Sequence, residues 1–503
     1  MIKKSFGKKL LSAAAVTSLV LGGFAGSTPD VDAKNDKKHN YEIKNIIFLV
    51  GDGMGPSFTT MHRYMQDDPS TKNMEPTAFD PYLVGMQSTY SWDPYFEGGE
   101  GDVKENIPDS AATATSMAAG IKTYNGAISV DMEQERVKTI LEEAKEQGKS
   151  TGLVATSQIN HATPAAFGAH DESRHNYNAI ADDYYDEMIN GEHKVDVMLG
   201  GGTSYFERED RNLAKEFQQD GYSYVTTKEQ LLEDDNDQVL GLFAPVGMDK
   251  AIDRDENTPS LSDMTDAALQ RLSDDKDGFF LMVEGSQIDW AGHDNDVVAA
   301  MSEMEDFEKA FQRAIDFAKK DEHTLVVATA DHSTGGLSIG SNGDYVFNPE
   351  VIDAAERTPD FMASEIADGA GVEEVLAEYS GLDLTQEEID SVKEAAQADA
   401  DGNIDVTAVD NAIEDIYNVR SGTGWTTGGH TGVDVNVYAY GPQLYKFSGL
   451  NDNHETGQKL FEVLKAESHH EDQEDDHDDK DDGDDSDARE DEDDDEDHDK
   501  DKD

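Results

Sequence analysis

The 503-residue chain contains no cysteine. That excludes disulfides, zinc–thiolate sites and a cysteine nucleophile. Any transition metal must then be held by histidine and carboxylate. Basic charge is scarce. Lys and Arg number 40 against 109 Asp and Glu, a formal net charge of −69. Such a chain does not bind nucleic acid through a general electrostatic footprint. Beyond Phe24 no apolar run is long enough to span a bilayer. There is no GxSxG elbow, so no Ser-His-Asp context is evident. No internal repeat of roughly 20–50 residues is found.

What is present begins with processing signals. Lys3, Lys4, Lys8 and Lys9 precede an apolar, small-residue stretch from Leu10 to Phe24, and Val31-Asp32-Ala33 suits a signal peptidase. Residues 1–33 therefore read as a secretory signal peptide and 34–44 as a linker. The mature chain is expected outside the cytoplasm, secreted, periplasmic or wall-associated, with no membrane anchor after cleavage. At the other end, Glu471 to Asp503 holds 23 acidic and 4 basic residues and almost nothing apolar. Residues 467–503 are expected to form a disordered, solvating acidic tail. The rest still carries about −50, so acidity belongs to the whole chain. Self-repulsion at that charge predicts tolerance of, or need for, high salt.

Between these ends, apolar runs recur and finish in glycine or in groups that carry chemistry. Ile46 to Val50 is unbroken and leads to Gly51-Asp52-Gly53; a run of this kind reads as a strand buried on both faces. Gly152 to Thr156 leads to Asn160-His161-Ala162-Thr163, and Val195 to Leu199 to three glycines. Phe279 to Val283 leads to Glu284, and Thr324 to Thr329 to Asp331-His332. Helical spacing marks Val137–Gln147, Met264–Leu272 and Met301–Ala318. The alternation predicts an α/β fold, with a doubly wound, mostly parallel sheet and helices on both faces. Val435–Tyr440 alternates and adds a strand. The catalytic domain is placed at 45–466. Within it Trp92–Ile107 reads as a surface loop, and residues 348–420 as a helical, acidic insert forming a small cap. Asp399, Asp401, Gly402 and Ile404 imitate part of an EF-hand loop. Gln397 and Ala408 stand where its first and twelfth ligands belong, so a polar turn is expected instead.

Ligands in open α/β sheets gather beyond the carboxyl ends of the strands. Asp52, Glu284, Asp331 and His332 all stand at such ends. Asp289 and His293 are one helical turn apart and can face one metal. His430 lies in a glycine-rich turn just before Val435. Together these carboxylates and imidazoles supply N and O ligands for more than one divalent ion. Pro108-Asp109-Ser110 precedes a small-residue helix. Asp109 can cap that helix, and Ser110 sits where amides and dipole favour an anion such as phosphate. A serine hydroxyl needs activation to act as a nucleophile, and metal ligation is the coherent route here.

The stretches VGDGMG, PDSAATATSMAAG, INHATPAAF, ESRHNY, VEGSQIDWAGH, TADHSTGG and WTTGGHTG occur in that order. In this combination the chain resembles the alkaline phosphatase family, metal-dependent phosphomonoesterases. The resemblance implies two Zn2+ and one Mg2+ per subunit, a homodimer, and small phosphate monoesters as substrates. It places the first zinc on Asp289, His293 and His430, and the second on Asp52, Asp331 and His332, with Ser110 as nucleophile. It places magnesium on Asp52, Thr163 and Glu284, and makes Arg174, aligned by Asp109, the phosphate clamp. A phosphoseryl intermediate and net retention at phosphorus follow from that pattern. Two positions, His161 and Trp290, hold an aspartate and a lysine in part of the family. His161 becomes a candidate third-metal ligand and leaves that metal open between magnesium, zinc and cobalt.

Two other readings compete. A phosphodiesterase or sulfatase of the same superfamily fits less well, because Arg174 needs two free oxygens and sulfatases use a modified Cys or Ser that PDSAA does not resemble. A secreted cation-binding protein would explain the acidity, but not Arg174, Ser110 and the ordered histidines.

Overall fold

The central strand β1 (Asn45–Gly51) is buried along its whole length. Its side chains divide between two cores: Ile47 and Leu49 enter one, and Ile46, Phe48 and Val50 the other. This is why its sequence runs without alternation. Each such side chain contributes about 1.5–3 kcal/mol by leaving water. The computed structural model describes residues 42–93 and 103–474. The signal peptide, most of the linker, the tail beyond Glu474 and the middle of the loop at 94–102 lie outside the described residues.

Nine further strands complete the sheet: β2 (Leu83–Ser88), β3 (Ser150–Gln158), β4 (Val197–Gly201), β5 (Ser223–Val225), β6 (Val239–Leu242), β7 (Phe279–Gly285), β8 (Thr324–Ala330), β9 (Val435–Tyr440) and β10 (Gly449–Asp452). Their order is β10-β2-β9-β8-β1-β7-β3-β4-β6-β5. Only β9 runs against the others, pairing antiparallel with β8 and β2. Strand β1 pairs in parallel with β7 and β8, register Val50 to Glu284 and to Thr329. That register brings Asp52, Glu284 and Asp331 to one end of three adjacent strands, as the expected α/β sheet requires.

The helices that carry or brace the site are α1 (Pro56–Gln66), α2 (Ser110–Ala119), α3 (Ala162–Gly168), α4 (Leu261–Leu272), α5 (Gln287–Asp294) and α6 (Val297–Asp321). Helix α6 is amphipathic, burying Met304, Phe307, Phe311 and Ile315 against the core that takes Leu49. The helix expected at Val137–Gln147 is shorter, Ile140–Glu146. Thr139 and Glu142 close a capping box that sets its start after Val137 and Lys138. The loop expected at Trp92–Ile107 is tied at its base by antiparallel pairing of Ser91–Asp93 with Val103–Glu105. The insert is helical, holding Pro359–Ala367 (α7) and Val406–Ser421 (α8) among its elements. Its EF-hand-like turn is an exposed polar turn in which Asp399 Oδ1 accepts from the amides of Asp401 and Asn403. The last helix, α9 (Asn453–Glu474), continues through residue 466, so residues 467–474 are helical.

Candidate metal centre and active site

Asp52 follows β1 directly and is fully buried, yet neither of its carboxylate oxygens has a hydrogen-bond partner. Burial, then the charges of Asp331, Asp289 and Glu284, push its carboxyl well above the usual carboxylate range. Gly53 sustains the turn with φ +69°. A Cβ there would lie 2.7 Å from Thr334 Oγ1 and 2.9 Å from Asp289 Oδ1. Glycine is thus required both by conformation and by how closely the site crowds the turn. The Gly53 amide donates to Asp331 Oδ1 at 2.9 Å. Asp331 is fixed further by Thr113 Oγ1 at 3.3 Å and by the amide of His332 at 2.8 Å.

His332 Nε2 is the meeting point of this half of the site. It lies 3.0 Å from Asp331 Oδ2, 3.5 Å from Asp52 Oδ1 and 3.1 Å from Ser110 Oγ. Ser110 is buried and is the first residue of α2; Asp109 is its N-cap and accepts from the amide of Ala112. Asp109 is shared: Oδ1 also takes the Gly126 amide at 3.0 Å, and Oδ2 takes Arg174 Nη1 at 3.0 Å. The cap that starts the serine's helix therefore also aims the guanidinium. Arg174 Nη2 continues to His161 Nε2 at 3.1 Å.

The other half is built on α5. Asp289 Oδ2 lies 3.3 Å from His293 Nε2, and its Oδ1 lies 3.6 Å from His430 Nε2. The rings of His332 and His430 stack, centroids 3.7 Å apart, joining the two halves. Burial, aided by His332, pushes His430 down to about 4, which keeps its imidazole neutral and able to ligate. Burial and Arg174 do the same for His161, to about 3.

A third set faces Asp52 from the β3 and β7 ends. Asp52, His161 and Glu284 bring one ligand atom each within 4.8 Å of one another. The same holds for Asp52, Asp331 and His332, and for Asp289, His332 and His430. Glu284 Oε2 is occupied by Ser286 at 2.6 Å and Ser157 at 3.3 Å, whereas Oε1 is buried and unpaired. Thr163 Oγ1 and His161 Nδ1 are likewise buried without a partner. Burial raises Glu284 to about 7. Unpaired buried carboxylates of this density are costly without cations. The donor set therefore fits divalent metals: N and O ligands in two clusters, and a more oxygen-rich third. Trp290 stands edge-on to His161, ring centroids 5.7 Å apart.

All twelve residues singled out from the sequence thus lie in one neighbourhood. What sequence reasoning missed is the layer that holds them. Thr334 Oγ1 donates to Asp289 Oδ1 and lies 3.3 Å from His332 Nδ1. Thr113, Ser157 and Ser286 hold carboxylates. Carbonyls of Gly428 and Pro108 orient His293 and His430. Thr334 and Thr113 lie within the quoted motifs, which was the available signal; Ser157 had none.

Comparison with known proteins agrees over nearly the whole described chain. The family model described as alkaline phosphatase matches residues 43–466. Alkaline phosphatase 3 of Bacillus subtilis (strain 168) is 59% identical over 467 residues, covering 92% of this chain and 98% of that protein. The cold-active alkaline phosphatase of the psychrophile Shewanella sp. superposes with TM-score 0.75 at 41% identity, covering 84% of this chain and 99% of that one. A histidine-to-glutamate variant of the alkaline phosphatase of the Antarctic bacterium TAB5, with Mg bound in its M3 site, superposes with TM-score 0.60 at 29% identity, with the same coverages.

Proposed function

The chain belongs to the alkaline phosphatase family, and we propose that it is an exported phosphomonoesterase acting through a phosphoserine on Ser110 at a site for two zinc ions and one magnesium ion. The observation that carries this reading is the placement of Ser110. Its hydroxyl lies 3.1 Å from His332 Nε2, at a helix N-terminus whose cap also holds Arg174.

Asp289, His293 and His430 would hold the first zinc, and Asp52, Asp331 and His332 the second. Asp52, Thr163 and Glu284 would hold magnesium, with His161 beside them. The orphaned oxygens of Asp52, Glu284 and Thr163 support that assignment. In the TAB5 protein a third site, M3, holds magnesium when a histidine is replaced by glutamate; His161, kept in this chain, leaves zinc or cobalt as competitors there. Bound there, the metals would lower the pKa of hydroxyl and water and offset charge on the attacking and leaving oxygens.

The chain's own groups do the rest. Arg174 pairs bidentately with two non-bridging phosphate oxygens, which favours a monoester dianion over a diester. The amides at the start of α2 add to that anion site. Ser110 Oγ forms the new P–O bond as the alcohol leaves. Water then cleaves the phosphoserine from the vacated side, so two inversions give net retention.

Acid quenching during turnover of a radiolabelled aryl phosphate should leave label on Ser110. Ser110→Ala should carry none and hydrolyse the ester at a small fraction of the parent rate. A fully active Ser110→Ala, or no label in metal-loaded parent protein, refutes the phosphoserine route. Export is tested separately: protein recovered from the medium should begin just after Ala33. The expected homodimer is checked by sedimentation in high salt.

A further inference from the structure

Helix α5 ends at Asp294, and Asp296 caps α6. Across from them stand Asp360 on α7 and Asp410 on α8. Asp294, Asp360 and Asp410 bring one carboxylate oxygen each within 4.8 Å of one another. Glu414 follows Asp410 by one turn of α8. None of these groups belongs to the phosphate site.

The second observation is what this cluster leaves unsatisfied. Asp296, Asp410 and Glu414 are 1%, 2% and 3% exposed. Asp296 Oδ2, Asp410 Oδ1 and Glu414 Oε1 have no hydrogen-bond partner. Asp296 Oδ1 is occupied by the amides of Val298 and Ala299, so its other oxygen is the free one. Burial, then the charges of Asp360, Asp294 and Asp296, raise Asp410 to about 9. Lys250 offsets one charge among five carboxylates. Buried carboxylates are retained when paired or when they coordinate a cation.

We propose that Asp294, Asp360 and Asp410, with Asp296 and Glu414, form a calcium site that fastens the helical insert to the helix carrying Asp289 and His293. The chemistry selects the ion. The ligands are all carboxylate oxygens, which suit a hard cation and not zinc. Calcium accepts six to eight oxygens at about 2.3–2.6 Å in flexible geometry, so carboxylate oxygens within 4.8 Å of one another can share it without a fixed arrangement. Magnesium at about 2.0–2.1 Å demands a tighter octahedron. An entry path exists: Asp294 and Asp360 line a cavity of about 630 Å3 shared with Asp249, Lys250 and Trp290. The insert already touches this end of α5, where Asn418 Nδ2 donates to the Asn295 carbonyl at 3.0 Å.

The test is calcium titration of the zinc- and magnesium-saturated full chain in about 0.5 M sodium chloride, which screens loose surface binding. Equilibrium dialysis and thermal unfolding are read together. Saturable binding of one ion per chain is expected, with a rise of a few degrees in Tm. Asp410→Asn and Glu414→Gln should each weaken binding at least ~10-fold, and Asp399→Asn, in the exposed turn, should not. Without calcium both cluster variants should be at least as stable as the parent, because a neutral amide replaces a carboxyl that burial otherwise forces either to repel its neighbours or to take up a proton. No saturable binding, or affinity unchanged in both variants, overturns the site. So does an Asp410→Asn protein less stable than the parent without calcium, which would mean the carboxyls are held by shared protons.

Discussion

Nε2 of His293 and Nε2 of His430 lie 3.1 Å apart, and each ring is turned so that Nδ1 donates to a carbonyl, Gly428 at 2.8 Å and Pro108 at 2.7 Å. Carbonyls only accept, so each Nδ1 carries a proton; Asp289 raises His293 to about 9, so without a cation its Nε2 holds a proton as well, and a metal ion would take that proton's place between the two rings. Asp289 completes the donor set there. The carbonyls thus fix the tautomer that metal ligation needs.

His430→Ala removes one of these donors. It should lower phosphate release at least ~100-fold and reduce bound zinc measured by atomic emission. Zinc content and activity both at parent level would remove His430 from the ligand set.

Asp109 separates capping from positioning. Asp109→Asn keeps a side chain able to cap α2 through the Ala112 amide, but weakens the pair with Arg174. Stability should stay within about 0.5 kcal/mol of the parent, while KM for a monoester rises several-fold. Asp109→Ala loses both roles and should also cost about 1 kcal/mol in urea unfolding. Equal KM in parent and Asp109→Asn would show that Arg174 needs no partner.

Thr334 touches Asp289 and His332 at once. Thr334→Val preserves shape and removes the hydroxyl. Zinc should then be lost to a chelator at ~10-fold lower chelator concentration, and Thr334→Ser should restore retention. If Val and Ser behave alike, the hydroxyl does not orient the ligands.

The contrast between these residues shows what the sequence carries. Asp52, Glu284 and Asp331 were legible because each ends an apolar run, and strand ends of a parallel sheet converge. Asp289 and His293 were legible from spacing. Arg174 and Thr163 were legible only through resemblance, since no local pattern marks them. Thr334 and Ser157 orient ligands through side-chain geometry that periodicity does not encode. The direction of Val435–Tyr440 was unreadable for a related reason: alternation reports which faces are buried, and pairing partners decide direction. The Asp294–Asp360–Asp410 cluster is assembled by docking of the insert across more than a hundred residues of chain, so no window of sequence contains it.

Stability against pH turns on two buried lysines outside the candidate metal site, Lys122 and Lys194. Lys122 Nζ reaches the Tyr90 carbonyl at 2.6 Å and Asp452 Oδ1 at 2.6 Å; Lys194 Nζ reaches Glu187 Oε2 at 2.8 Å. Both side chains are buried, and burial outweighs the carboxylates, pushing each down to about 8 from an ordinary 10.5. Below about 8 both folded and unfolded chains hold the protons, and these groups contribute no slope. Between about 8 and 10.5 the unfolded chain holds protons that the folded chain has released, so stability rises with pH, by up to roughly 3 kcal/mol per lysine. Buried tyrosines act in the opposite sense. Burial raises Tyr184, Tyr222 and Tyr417. Above pH 10 the unfolded chain releases phenolic protons that the folded chain keeps, and stability falls. Asp410 and Glu414, raised by burial, oppose the lysines over the same range. In an Asp410→Asn, Glu414→Gln background, urea midpoints measured from pH 7 to 11 in high salt should therefore rise from pH 8, peak near pH 10 and decline. Lys194→Met should flatten the rise and leave the decline in place. A profile of that background that falls steadily from pH 8 would show that the buried lysines keep their protons through their carboxylate partners, and that their burial contributes nothing to alkaline stability.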